Sequence, residues 1–326
     1  MSLWFSQKLN IPSALLSTVS ADASFRRYFR YQNNDSDYIL VDAPPATEKN
    51  QEFIDYAVQY AKAGLDVPRV IWGDTKQGFL CLTDLGNQTL FPLLENNATQ
   101  WYPEAVRLLP LLSKVTPLIK QSTYDAAFFQ QELSLFIQWF CNDLLQIELS
   151  TAQSNSINSC FKILINNAIE QPQVSVHRDF HSRNIMVRDN RSLSVIDFQD
   201  TVTGPLTYDA VSLLKDCYFK LSNDDREVFI KQSYDQFVIS QQLTCSYDQY
   251  KKWFDLMGLQ RHLKVCGIFS RLHFRDNKSH YLNDLPLVID YIVDILDVYE
   301  ELSPLKSLFE KSVLPIVQER INTCLP

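Results

Sequence analysis

The period of the apolar positions changes near residue 86. Before it, short aromatic and β-branched runs are broken by turn residues, as in strands. Phe25 to Tyr31, Tyr38-Ile39-Leu40-Val41, Val70-Ile71-Trp72 and Gly78 to Leu82 are the four runs. The polar stretch Gln32 to Asp37 predicts a turn that folds the first two into an antiparallel hairpin, and Pro44-Pro45 stops the second. Residues 48–63 have helical spacing, with Phe53, Ala57 and Tyr60 on one stripe and Ile54, Val58 and Ala61 beside it; Gly64 follows as a C-terminal cap. Residues 1–19 read as a short amphipathic helix carried by Leu3, Trp4, Leu9, Ile11, Leu15 and Leu16.

Beyond Gly86 the helical period dominates. It predicts helices over 102–115, 123–146, 157–170, 224–242, 247–269, 285–300 and 304–321, with the polar run 150–159 as a loop. The expected fold is α+β and two-lobed. A small antiparallel β N-lobe spans residues 1–84, and a larger, mainly helical C-lobe spans 85–326. Thr83, Asp84 and Leu85 form the connection.

Inside the helical part sits one short β-rich stretch, Val174 to Tyr218. Val174-Ser175-Val176 delivers His177-Arg178-Asp179. Ile185-Met186-Val187 and Leu193-Ser194-Val195-Ile196 form a hairpin turning at Asp189-Asn190-Arg191. Antiparallel pairing then brings Asn184 and Asp197, at the two ends of the hairpin, side by side, with Asp179 facing the same pocket. A carboxylate beside an attacking hydroxyl, with an Asn and a second carboxylate to hold Mg²⁺, is what phosphoryl transfer requires.

This order of residues resembles the aminoglycoside phosphotransferase superfamily of kinase-like enzymes. The matching features are H-x-D-x-x-x-x-N at 177–184, I-D-F at 196–198, Gly204-Pro205, and Tyr208-Asp209 before an apolar helix. The resemblance implies a protein-kinase-like fold binding ATP and Mg²⁺, with Asp179 as catalytic base and Asn184 and Asp197 as metal ligands. It makes His177 and Asp209 structural residues that brace the loop. Five separated segments are more similar still to the bacterial anomeric sugar kinases of cell-wall recycling: residues 20–30, 41–45, 82–86, 196–209 and 267–276. Those enzymes phosphorylate the 1-hydroxyl of N-acetylmuramate and N-acetylglucosamine.

The chain departs from the general kinase pattern in the N-lobe. No glycine precedes Gly64, so the small residues Ser20, Ala21, Asp22, Ala23 and Ser24 are expected to cover the phosphates through backbone N–H groups. No strand lysine is present; Asp42 follows Leu40-Val41 where a cation is expected. Arg26, Arg27 and Arg30 are the candidates to replace it, with Glu52 as counter-ion. Thr83, Asp84 and Leu85 are expected against the adenine, and His181 near the transferred phosphoryl group. Arg183 beside Asn184 suits a carboxylate or phosphate. Asp200 is expected on the acceptor side, and Arg271, His273 and Arg275 add a positive cluster to the substrate-binding set. An acceptor bearing a carboxylate fits these cations; a polycationic aminoglycoside does not.

Composition limits the alternatives. There are 38 acidic against 30 basic residues, a net charge of −8, which disfavours a nucleic-acid surface. The seven cysteines are scattered without a C-x-x-C pair, as in a reduced cytoplasmic protein. No apolar run approaches the ~18 residues of a membrane span. The expected partners are a sugar and a nucleotide, without nucleic acid or membrane, for a monomer. Competing readings are a kinase for choline, homoserine, thiamine or an aminoglycoside, and a non-catalytic pseudokinase. The arginines argue against a choline cage, and the intact Asp179, Asn184 and Asp197 argue against a pseudokinase.

Overall fold

The computed structural model describes residues 2–9, 16–20, 25–32, 37–118, 123–241 and 245–325. Strands β1 (Ser17–Ser20), β2 (Arg27–Gln32), β3 (Asp37–Asp42), β4 (Val70–Asp74) and β5 (Phe79–Thr83) form one sheet in the order β1-β2-β3-β5-β4, antiparallel throughout. Strand alternation sorts its side chains to two faces. Leu40 and Cys81 pack with Phe5 and Tyr31, beneath helix α1 (Ser2–Leu9). Val41, Leu80 and Leu82 join Phe53, Tyr56 and Tyr60 of helix α2 (Asn50–Lys62) on the other side. Trp4 seals the α1 face against Trp72, ring centroids 4.3 Å apart.

Of the amphipathic helix expected over 1–19, Ser2–Leu9 is helical, residues 10–15 lie outside the described residues, and Ser17–Ser20 is a strand. Its Thr18 and Val19 are β-branched, and Ser17 and Thr18 pair with Arg30 and Phe29 on what would otherwise be the open edge of β2.

The helical part holds α3 (Phe91–Val106), α4 (Leu109–Ser113), α5 (Ala126–Leu135), α6 (Thr151–Glu170), α7 (Tyr208–Leu214), α8 (Asn223–Gln241), α9 (Tyr247–Asp276), α10 (Leu285–Leu296), α11 (Ser303–Leu308) and α12 (Val317–Cys324). Residues 150–159, expected as a loop, form the first turns of α6. Ser150 and Gln153 make a reciprocal capping box, and Ile157, Cys160 and Phe161 face inward while the serines and asparagines face solvent. The stretch expected as one helix over 123–146 begins at Ala126, capped by Asp125, and continues past α5 as a π-helix, Phe136–Leu144. Among the described residues no helix is long and apolar enough to cross a membrane.

Helix α9 is the axis of this part. It runs 30 residues, past the expected Phe269, until Asn277 adopts a left-handed conformation and caps it. From Tyr250 to Ser270 it is buried on nearly all sides, by α5 and its π extension, α6, α7 and α10. Gly267 is where α9 crosses the end of α5: a Cβ there would lie 2.4 Å from the Leu135 carbonyl carbon. Backbone cannot retreat as a side-chain tip can, so Gly267→Ala forces the two helices apart. The expected loss is roughly 1–3 kcal/mol, read as a lower urea midpoint at an unchanged m-value.

Candidate active site

Strand β6 (Gln173–Val176) pairs antiparallel with β9 (Val202–Pro205) and ends at His177. There the chain turns sharply, with Arg178 at φ +79°. A side chain in that region costs about 1–3 kcal/mol, so surrounding contacts must impose it. Asp209, at the start of α7, supplies them. Its buried carboxylate accepts the backbone N–H of His177 at 2.7 Å and of Arg178 at 3.0 Å. Burial lifts the Asp209 pKa to about 6, and the nearby His177 and the two N–H donors oppose that rise.

His177 holds the next link. Its Nδ1 accepts the Asp179 N–H at 3.3 Å, so Nε2 carries the hydrogen and donates to the Ile196 carbonyl at 2.9 Å. The imidazole thereby ties the Asp179 loop to the residue before Asp197. The loop's other half is held by Asp216, just past α7, which accepts from the Ser182 N–H and hydroxyl and from the Tyr218 N–H. The short helix α7 therefore carries a bracing carboxylate at each end.

Strands β7 (Ile185–Val187) and β8 (Leu193–Val195) pair with Ile185 opposite Val195. Asn184 and Asp197 flank this hairpin. Asn184 Nδ2 donates to the Asp179 carbonyl at 3.0 Å and lies 3.4 Å from Asp197 Oδ2. Asp197 sits at φ +67°, and its Oδ1 accepts from Gln199 at 2.8 Å. Next to it, Phe198 is fully buried between Phe53 and Tyr60 of α2, ring centroids 5.0 Å away in each case. Tyr60 also meets the Thr201 hydroxyl at 2.7 Å, which fixes α2 to the Asp197 segment.

With its amide nitrogen turned to the Asp179 carbonyl, Asn184 has its oxygen available to a cation. Among the described residues no cluster of three or more His, Cys, Asp or Glu could hold a metal on its own. One carboxylate and one amide oxygen, completed by phosphate and water, fit Mg²⁺, which keeps much of its hydration.

Asp179 is half exposed, with Arg261 of α9 at 3.6 Å from its Oδ1. Burial alone would raise its pKa. The positive charges of Arg261, Lys264, His181 and Arg178 overcome that and hold the carboxyl well below the usual range. His181 lies edge-on to Tyr218, ring centroids 5.2 Å apart, and burial lowers its pKa against the opposing pull of Asp216 and Asp179. Arg183 stacks over Tyr218 at 3.5 Å and over Phe91 at 5.0 Å, which makes a cationic and aromatic wall beside the loop.

The three N-lobe arginines have different partners. Arg30 is held by the Asp84 carboxylate, the Asn87 side chain and the Gly86 carbonyl, so it pins the connection after β5. Arg27 is mostly exposed and meets Asp42, its opposite residue on β3. Arg26 is buried, 3.0 Å from Glu48, with its guanidinium over the Phe53 ring. Phe53 in turn stacks on Phe198, the neighbour of Asp197, so this pair lies on the Asp197 side of the sheet. Glu52, expected as counter-ion, is exposed; Glu48, in the turn before α2, takes that place and also accepts the Phe25 N–H.

Thr83 accepts the Arg69 N–H, Asp84 binds Arg30, and Leu85 is buried. Ser20 ends β1, while Ala21, Asp22, Ala23 and Ser24 lie outside the described residues. Asp200, expected to face the acceptor, instead has its carboxylate 2.8 Å from Lys49, because the Asp197–Thr201 turn is anchored against α2. Arg271, His273 and Arg275 occupy the last turns of α9. His273 meets Ser279, and Arg275 meets Asp276. Arg271 stands ten residues, roughly 15 Å of helix, beyond Arg261. None of the three has a described contact with Asp179, Asn184 or Asp197; of the α9 cations not singled out from the sequence, Arg261 pairs with Asp179 and the charge of Lys264 acts on it from nearby. The signal available was a pair of cations three residues apart inside an apolar helix, where charge is rarely buried without a partner.

The sequence pattern of the family described as phosphotransferase enzyme family (APH) matches residues 16–235. The chain belongs to this family. Among curated proteins it is similar to the N-acetylmuramate/N-acetylglucosamine kinase of Pseudomonas aeruginosa, 37% identical over 91% of this chain and 88% of that protein. The protein of the same name from Neisseria meningitidis is 34% identical over 91% and 90%. Among solved structures, an ethanolamine kinase from Plasmodium vivax superposes with TM-score 0.62 at 12% identity over 90% of this chain and 85% of that one. A mutant aminoglycoside phosphotransferase APH(4)-Ia, in complex with ADP and hygromycin B, gives 0.61 at 14% identity over 91% and 98%. The structural likenesses show the kinase-like two-lobed fold.

Asp209 supports the loop in a way that can be tested. Asp209→Ala leaves two backbone N–H groups without their acceptor, at roughly 1–3 kcal/mol for each buried group. The variant is expected to unfold at lower denaturant and to lose turnover even where it remains folded, measured by denaturation and by ADP release.

Proposed function

We propose that this enzyme transfers the γ-phosphoryl group of ATP to the anomeric hydroxyl of an amino sugar, N-acetylmuramate or N-acetylglucosamine. The carrying observation is the convergence of Asp179, Asn184 and Asp197 on one braced loop and hairpin. The names of relatives that match nine-tenths of the chain point to the acceptor. In this reading residues 1–84 and 85–326 are the two walls of a cleft, with the adenine against Thr83–Leu85 and the sugar on the helical side.

The acceptor hydroxyl sits against the Asp179 carboxylate. As its oxygen bonds to the γ-phosphorus, the bond to the β–γ bridging oxygen breaks, ADP leaves with that electron pair, and the hydroxyl proton passes to Asp179. Asn184 and Asp197 are the residues that would hold Mg²⁺, which when bound neutralises phosphate charge. Arg26, supported by Glu48, replaces the missing strand lysine as the cation nearest the phosphates. Arg30 is committed to the connection and Arg27 to Asp42.

Cations hold Asp179 well below the usual carboxylate range, which makes it a weak base. That matches an anomeric hydroxyl, the most acidic on a reducing sugar, better than an ordinary alcohol. The Arg183, Tyr218 and Phe91 wall suits a sugar ring with an appended carboxylate, as on muramate.

The test is ADP release with ATP and Mg²⁺ over N-acetylmuramate, N-acetylglucosamine, glucose, choline and kanamycin. Turnover is expected with the two N-acetylated sugars, and Asp179→Asn is expected to lower it by about 10²–10⁴-fold. Turnover confined to choline or kanamycin contradicts the acceptor assignment. Full activity in Asp179→Asn contradicts the base.

A further inference from the structure

Three cations lie near Asp179, the buried Arg261 and Lys264 and the partly exposed Arg178, and their own partners distinguish them. Lys264 is neutralised by Glu132 at 2.9 Å and also donates to the Tyr208 hydroxyl at 2.9 Å. Arg178 donates to the Tyr124 hydroxyl at 3.0 Å, with Glu132 at 3.8 Å. For Arg261 the only carboxylate within ion-pair distance, among the described residues, is Asp179. Its side chain is 5% exposed, and its Nε is buried without a hydrogen-bond partner. One terminal nitrogen donates to Ser212 Oγ at 2.8 Å; the other lies 3.9 Å from the Cys217 sulfur. A buried guanidinium with so few acceptors requires a counter-charge, and among the described residues the one carboxylate within ion-pair distance is that of the reaction loop.

The geometry is directional. The buried Arg261 approaches Asp179 Oδ1 at 3.6 Å, while half of the Asp179 side chain remains exposed. The guanidinium is fixed by Ser212 on α7, and the Ser212 hydroxyl lies 3.4 Å from the Arg178 carbonyl. Arg261, α7 and the turn before Asp179 therefore form one rigid unit.

We propose that Arg261 is a positioning residue for phosphoryl transfer: it holds Asp179 by Oδ1 and so presents Oδ2 to the acceptor hydroxyl. The inference rests on the phosphoryl-transfer reading above. It adds the residue that selects which oxygen of the base receives the proton. Without that contact, rotation about the Cβ–Cγ bond lets either oxygen face the sugar, at angles that do not align with the hydroxyl.

The test compares wild type with Arg261→Met, Arg261→Lys and Ser212→Ala, and repeats Arg261→Met in an Asp179→Asn background. In Arg261→Met, kcat is expected to fall about 10–100-fold, the loss typical of a misplaced reacting group. KM for ATP and for the sugar is expected to stay within about threefold. Arg261→Lys restores part of kcat, and Ser212→Ala gives a smaller loss of the same kind. In the Asp179→Asn background, Arg261→Met is expected to change the residual rate by less than about threefold, because the residue acts through Asp179. A kcat near wild type in both Arg261→Met and Ser212→Ala overturns the proposal. So does an equal loss with Asp179 intact and in the Asp179→Asn background, which a purely structural role produces. If Arg261→Met does not fold, Ser212→Ala decides the question, and wild-type kcat there overturns it. Absence of turnover in wild type defeats the phosphoryl-transfer reading itself; wild-type turnover with an indifferent Arg261 defeats only this inference.

Discussion

Two hydrogen bonds, from the backbone N–H groups of His177 and Arg178 to the buried Asp209 carboxylate, hold the turn on which the site depends. They keep Arg178 in a left-handed conformation that its side chain disfavours. Asp179 follows that turn with its side chain half exposed, and His177 links its N–H to the carbonyl before Asp197. Asn184, Asp197 and Asp179 are thus one hydrogen-bonded unit and not three independent loops. Asp216 repeats the device for Ser182 at the other end of α7.

Charge is distributed in the same economical way. The buried cations of α9 are balanced by Glu132 and by Asp179, so the carboxylate proposed as base also serves as a counter-ion to the core. In the β-lobe two adjacent arginines are each paired with a carboxylate. Asp42 faces Arg27 across the strands, and Arg26 turns inward to Glu48 beneath the sheet.

Strong periodicity made the sheet, α2 and the helices around α9 readable from the sequence, and the spacing of Asp179, Asn184 and Asp197 made their convergence readable. Local composition misled at two places. The serines and asparagines of 150–159 looked like a loop because polar residues on a solvent-facing helix stripe carry no strand or loop information of their own; the Ser150–Gln153 cap was the informative feature. Ser17–Ser20 was absorbed into a helix because its strand character exists only in pairing with β2. Glu48, Asp216 and Arg261 were not legible for a different reason. Each acts on a residue distant in sequence, Arg26, Ser182 and Asp179 respectively, and only the folded topology creates those contacts. Asp200 was the converse case: its nearness in sequence to Asp197 suggested the acceptor side, whereas the anchored turn gives it to Lys49.

The central claim is a phosphoryl group placed on an anomeric oxygen by a weakly basic, core-anchored carboxylate. The most direct measurement is ³¹P NMR of the product formed from ATP and N-acetylglucosamine labelled with carbon-13 at the anomeric carbon. The account predicts a phosphorus resonance coupled to that labelled carbon, together with loss of the sugar's reducing end. A sugar phosphate lacking that coupling and retaining a reducing end would contradict it.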